Sequence, residues 1–296
     1  MKIGFGLPVS GSWAQPANVL AVATRAERLG YHSLWTFQRL LAPSDGSLGP
    51  VYGSVLDPVA VMGMAAAVTQ RAEIGVAILN MPFYSPALLA KQFASIDVLS
   101  GGRLIAGAGL GWLPAEFQAA GVPFERRGAR AEEYLHVLRA LWGPDPVSFN
   151  GEFYSVPPSL ALPKPVRSPL PLLLGGEAPA ALDRAGRLAD GWISSSRVPP
   201  QDLHTRVTAV REAAERAGRD PAAMRFICRG VVIGGARQRP LSGPLEQVAQ
   251  DIQDLAEQGI TEVFADLNFD PEVGNPQADP AASMERAHEV LAALAP

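Results

Sequence analysis

The chain has 296 residues, 48% of them hydrophobic, a formal net charge of −4 and a single cysteine. That length and apolar content support one large core, and a lone cysteine excludes an intrachain disulfide. No acidic or basic block is present, so the charge pattern gives no reason to expect nucleic acid or an anionic membrane as a partner.

The N-terminal MKIGFGLPVS lacks the apolar core of a secretory signal and leads straight into a strand over residues 3–8. No run of about 18 apolar residues follows anywhere, so a soluble, cytoplasmic protein is expected. Residues 16–29 place Val19, Val22, Ala26 and Leu29 on one helical face. Residues 33–37 are the second strand, followed by a long loop. Asp57-Pro58 then supplies an N-cap and a first-turn proline for the next helix. Residues 73–79 (EIGVAIL) read as an unbroken third strand, and Ser85-Pro86 repeats the helix-start signal before Leu89, Phe93 and Ile96. Residues 103–108 are the fourth strand, and Leu135, Leu138 and Leu141 mark its helix. The proline-rich stretch 143–171 contains a β-hairpin expected to turn at Asn150-Gly151. Strands at 172–174, 191–195, 225–233 and 262–267 each precede a further helix.

Eight strand–helix units with strands apolar nearly throughout imply a parallel sheet buried on both faces. In under 300 residues, without a linker, they fit one (β/α)8 TIM barrel with insertions, spanning 1–296, better than two open sheets. In such a barrel the chemistry sits at the C-terminal ends of the strands. LSGGRL (residues 99–104), His32 and the 143–171 excursion fall at the other end and are expected to be structural. The functional end carries two long loops, 38–56 and 109–125. It also carries GGE (175–177), SSR (195–197) and a loop with Arg237 and Arg239. Helix N-termini, the hydroxyls of Ser195 and Ser196 and the guanidinium groups of Arg197, Arg237 and Arg239 together suit an anion. The histidines are scattered and no Cys/His cluster exists, so no metal site is expected.

LIAGAGLGW (residues 104–112) raises the question of a nucleotide loop. A dinucleotide fingerprint needs G-x-G-x-x-G opening a helix, whereas here the spacing is G-x-G-x-G-W, with Pro114 two residues on. The glycines instead read as the end of a barrel strand, where Gly109 lets a flat ligand approach the backbone, or as a corner packed with small residues.

Several stretches together resemble one family over nearly the whole chain: LGYHSLWTFQRL, SVLDPVAVMGMAAAVTQRAEIGVAILNMPFYSPALLAKQFASIDVLSGGRLIAGAGLGW, FQAAGVPFERRGARAEEYLHVLRALW and PLLLGGEAPAALDRAGRLADGWI. The chain resembles the bacterial luciferase-like monooxygenase superfamily, and within it the branch of coenzyme F420-dependent oxidoreductases. The resemblance implies a (β/α)8 barrel, mostly dimeric, binding F420 or the flavin FMN at the C-terminal mouth. It implies a non-prolyl cis peptide around Ala77 and Ile78 behind the ring, bordered by Leu79 and Asn80. Gly175 and Gly176 would approach the cofactor, and Ser195, Ser196, Arg197 and Arg237 would suit its phosphate and tail.

Two positions depart from the branch that oxidises sugar phosphates. Gln38 stands where that branch has a histidine, and Trp112 where it has a glutamate, so that reaction is not expected. Gln38, Asn80 and Tyr84 are the candidate polar groups for substrate or ring, with Tyr84 as proton donor. Trp112 and Glu116 are expected in the substrate pocket, and Glu177 is a further acid. The leading expectation is an F420-dependent oxidoreductase moving a hydride at the deazaflavin C5 to or from a small organic molecule. The alternatives are an FMN-dependent monooxygenase using O2, or a cofactor-binding homologue without turnover.

Overall fold

The apolar runs pair as strands in an order that closes on itself. In the computed structural model, which describes residues 1–296, the strands are β1 (Lys2–Gly6), β2 (Ser33–Thr36), β3 (Glu73–Val76), β4 (Leu79–Asn80), β5 (Leu104–Gly109), β6 (Val147–Asn150), β7 (Ser155–Ser159), β8 (Leu172–Gly175), β9 (Gly191–Ile193), β10 (Arg225–Val231) and β11 (Glu262–Asp266). Apart from the separate β6–β7 hairpin, they run parallel in the order β3-β2-β1-β11-β10-β9-β8-β5, and β3 pairs with β5 to shut the barrel. β4 is a two-residue continuation of β3 against β5.

The helices are α1 (Pro16–Leu29), α2 (Pro58–Val68), α3 (Pro86–Leu99), α4 (Pro114–Ala119), α5 (Arg127–Trp142), α6 (Pro179–Leu188), α7 (Leu203–Arg216), α8 (Leu245–Glu257) and α9 (Pro280–Ala293). The helix-start signals act as their chemistry dictates. Asp57 accepts from the Val59 and Ala60 N–H groups at 2.9 and 3.3 Å, and Ser85 from Leu88 at 3.3 Å. None of the helices is long and apolar enough to cross a membrane.

Two apolar layers hold the fold. A continuous cluster joins the outer strand faces to the helices. A small one, Trp35, Ala77, Ile105, Leu173, Ile193, Ile227 and Phe264, fills the barrel interior, where Trp35 stacks on Phe264 at 5.0 Å. The N-terminal end is plugged by ions. Arg225 reaches Glu73 and Glu262 at 2.8 Å each, Arg167 reaches Glu73 at 2.7 Å, and His32 Nε2 lies 3.0 Å from Glu73. His32, Glu73 and Glu262 thus come close together, but two guanidinium groups already satisfy the carboxylates. Gly101 and Gly102 make the expected left-handed turn after α3, at φ 69° and 85°. Cys228 is buried, and burial pushes its thiol up to about 12, so it is unreactive.

The structure departs from expectation in three places. The third strand is broken: between β3 and β4 the chain bulges at Ala77–Ile78, and that peptide is cis, as the resemblance implies. The hairpin turns over residues 151–154 rather than at Asn150-Gly151, because Asn150 pairs with Ser155. The Glu133 carboxylate of α5 accepts the Glu152, Phe153 and Tyr154 N–H groups at 2.9, 2.9 and 2.7 Å and so shapes that wider turn. The 109–125 loop contains a short helix, α4, which proves decisive for the site.

Candidate active site at the barrel mouth

A cavity of about 360 Å³ opens at the C-terminal end of the barrel, enclosed by the ends of β2, β3–β4, β5, β8, β9 and β10. Its floor is the Ala77–Ile78 bulge. A Cβ on Gly109 would lie 2.5 Å from Ile78 Cδ1, and one on Gly175 would lie 3.3 Å from Ile78 Cγ2. The strand-end glycines therefore clear room for the Ile78 side chain, and Ile78 in turn forms the cavity floor. Gly176 sits at φ 121° with Ala181 2.8 Å from where its Cβ would be, so only glycine fits there.

The polar equipment is specific. Gln38 ends β2 and is 8% exposed. Its Oε1 accepts the Asn80 N–H at 2.8 Å and its Nε2 donates to the Tyr84 hydroxyl at 2.8 Å. These two bonds fix the amide and leave one Nε2–H for the cavity. The Asn80 carboxamide makes no hydrogen bond to protein and lines the same wall. Tyr84 lies behind Gln38 rather than in the cavity wall. Burial first, then the Asp57 carboxylate, raises its hydroxyl above the ordinary phenol range, so Tyr84 stays a protonated donor.

Arg229, in the middle of β10, is a feature that sequence reasoning missed. Its Nε donates to Asp266 at 2.6 Å and its Nη1 to the Ala77 carbonyl at 3.3 Å, beside the bulge. The guanidinium rests against the touching rings of Phe37 and Phe269, 4.4 and 4.3 Å from their centres. Arg229 lines the cavity and its Nη2 makes no bond to protein, so a rigidly held cation faces the interior. The available signal was a lone charge inside the apolar run RFICRGVVI.

Arg39, also unforeseen, touches both Tyr52 and Trp112, with its guanidinium 4.5 and 5.1 Å from their rings, and Arg197 also lies over Trp112 at 4.5 Å. These rings and cations line the mouth. Ser195, Ser196 and Arg197 follow β9 and line the cavity; the Ser195 hydroxyl donates to Glu177.

Five expected residues lie elsewhere. Leu79 is fully buried behind the wall. Glu116 is fully buried in α4, where it pairs with Arg39 at 2.9 Å and accepts the Leu40 N–H at 2.8 Å. It fastens the loop after β2 instead of meeting substrate. Arg237 makes a two-point pair with Asp251 of α8 at 2.8 and 2.9 Å. Arg239 turns back onto the Val231 and Pro240 carbonyls. Tyr84, the fifth, borders a second cavity.

A family model described as luciferase-like monooxygenase matches residues 3–240. Among curated proteins, an uncharacterized protein of Mycobacterium tuberculosis is 32% identical over 228 residues, 76% of this chain and 72% of that one. An F420-dependent glucose-6-phosphate dehydrogenase of Amycolatopsis mediterranei is 32% identical over 73% of this chain and 64% of its own length. An FMNH(2)-dependent dimethylsulfone monooxygenase of Pseudomonas putida is 34% identical over 55% and 45%. A crystal structure of a Streptomyces bottropensis monooxygenase superposes over 99% of this chain and 98% of that one, with a TM-score of 0.81 at 22% identity.

Proposed function

Because the chain belongs to the luciferase-like monooxygenase family, we propose that it is an oxidoreductase that seats the ring of coenzyme F420 on the Ala77–Ile78 floor. The observation that carries this reading is Arg229: a cation held by Asp266 and two rings, facing a cavity whose wall holds no histidine and one carboxylate, Glu177. Such a wall supplies orientation and positive charge but no acid–base pair, which leaves the redox step to a bound cofactor. When bound, the deazaflavin supplies a hydride at C5 or takes one up.

The chain's own groups divide the remaining work. Ala77 and Ile78 back the ring, and Arg229 places positive charge at its edge. The free Nε2–H of Gln38 and the carboxamide of Asn80 orient the substrate. Tyr84, coupled to Gln38 by its hydrogen bond, stays protonated on the substrate side. Trp112, Arg39 and Tyr52 cover the mouth and keep water out. Ser195, Ser196 and Arg197 are the groups available to a phosphate.

One observation favours FMN instead. Of the arginines that matched the long anionic F420 tail, Arg237 and Arg239 are satisfied elsewhere and only Arg197 lines the cavity. Titration with F420 and with FMN, followed by ring fluorescence, separates the two. Saturable binding of F420 supports the proposal, and tight FMN binding with no F420 binding overturns it in favour of the flavin.

The same reading includes a second copy of the chain as partner. The outer side of α3 and the excursion beside it expose Leu88, Val98, Leu99, Leu160, Leu162 and Val166, and α2 carries no charged residue. An apolar area of this kind suits a homodimer interface.

A further inference from the structure

A second cavity, about 410 Å³, lies beside the first, between the segment after β4, the segment after α4 and the start of α5. Leu110 lines both cavities, and the Gln38–Tyr84 hydrogen bond links their walls. The second is mostly apolar, and its lining includes arginine and hydroxyl side chains but no carboxylate. Arg127 and Arg130, one helical turn apart on α5, both line it and both are half-buried.

Neither arginine has an acidic partner, although the neighbouring Arg126 pairs with Glu152 at 2.7 Å. Arg127 lies over the Phe124 ring at 3.9 Å and Arg130 donates to the Glu125 carbonyl. Two like charges at this spacing repel one another, and although rings and backbone carbonyls touch both, no carboxylate pairs with either. Two phenols add to the set. Tyr84 accepts from Gln38, so its own hydrogen has no protein acceptor, and Tyr154 makes no side-chain hydrogen bond. Burial raises both hydroxyls, which keeps them protonated. The nearest carboxylate to Tyr154, Glu133, is already committed to three backbone N–H groups. The site therefore offers two guanidinium groups and two hydroxyl hydrogens in an apolar setting with no counter-charge.

We propose that this cavity holds the acid end of the substrate, which is an elongated apolar molecule with a terminal carboxylate. The carboxylate lies between Arg127 and Arg130, with Tyr154 as a further donor, and the apolar body runs past Leu110 so that its far end reaches the first cavity. Guanidinium groups are the side chains best matched to a carboxylate, and the apolar lining strengthens the pairing. The cofactor's anionic end has its own groups at Ser195 to Arg197, two strands further round the barrel from β5. The proposal rests on the oxidoreductase reading for the position of the reacting end, but the carboxylate site is testable without it.

The test is a calorimetric titration of the whole chain, without cofactor, against phenylacetate, phenylbutyrate and phenylhexanoate and their methyl esters. Binding of the longer acids with the esters about tenfold weaker or worse is expected, the size of one lost charge-assisted bond. Arg127→Gln and Arg130→Gln should each weaken acid binding about tenfold and leave the esters unchanged, with Arg130→Lys recovering part of the loss. Fluorescence titration of the same variants with F420 and FMN should give wild-type affinity. Equal binding of acids and esters, or no saturation by any acid, overturns the proposal. A parallel loss of cofactor affinity in the glutamine variants also overturns it, by assigning the cavity to the cofactor. If neither cofactor binds the wild-type chain while the acids do, the oxidoreductase reading fails and the carboxylate site stands.

Discussion

Arg229 is gripped on three sides, and each grip predicts a different outcome. Arg229→Lys keeps the charge but gives up the fork that reaches Asp266 and Ala77 together, and the guanidinium contact with the Phe37 and Phe269 rings. We expect a folded protein whose cofactor affinity falls about tenfold, one charge-assisted bond's worth, read by ring fluorescence. Arg229→Met strands the buried Asp266 carboxylate and should cost about 3–5 kcal/mol in urea unfolding. How far such residues could be read from the sequence depends on where their partners lie. Gln38 was legible because the resemblance set it against a histidine position just after a strand at the functional end of the barrel. Arg237 looked equally good, but its fate is set by Asp251 on the next helix, a meeting that spacing alone does not reveal. Arg229 was hidden inside an apolar strand, where a charge is easily passed over as an exception to the pattern.

At the scale of the element, α4 decides the shape of the mouth. Six residues are too few for a helical period to show, so only Pro114 marked it, and Glu116 was expected in the substrate pocket. In the folded chain Glu116 is the anchor for the loop after β2, pairing with Arg39 while both side chains are almost wholly buried. Glu116→Gln should therefore loosen residues 38–56, seen as faster amide exchange there, while β8 and β9 exchange as before. The broken third strand was illegible for a related reason. After Glu73, IGVAIL is uniformly apolar, and the room that Ile78 occupies is made by Gly109 and Gly175 on other strands. The resemblance to a family carried that feature; the local pattern did not. The barrel itself was fully legible, since its eight repeats of strand and helix depend on local period and cap chemistry.

For the molecule as a whole, the two ends of the barrel have separate duties, and the closed end governs acid stability. Glu73 is pulled well below the usual carboxylate range: burial acts to raise it, but His32, Arg225 and Arg167 outweigh that. A depressed folded value means the stabilisation is complete above the unfolded value of about 4.3 and fades as the pH falls below it. Urea midpoints measured from neutral pH downward should decline through that window, and Glu73→Gln should be less stable at pH 7 with a flatter acid limb. The apolar outer side of α3 predicts the assembly: Leu99→Glu with Leu162→Glu should convert a dimer to a monomer in light scattering without shifting the cavity's ligands. The Glu116 anchor has one more consequence. It holds the loop after β2 at Leu40, and the Leu56 N–H bonds the Val9 carbonyl at 2.8 Å, so the loop is secured on both sides of a solvent-facing tip around Gly46 and Gly49. Chain length at the tip, around Gly46 and Gly49, is free to vary without disturbing the wall behind it. That tip is a natural splice point, where a lineage or an engineer can lengthen the loop into a new roof and change what the barrel admits while the chemistry below stays as it is.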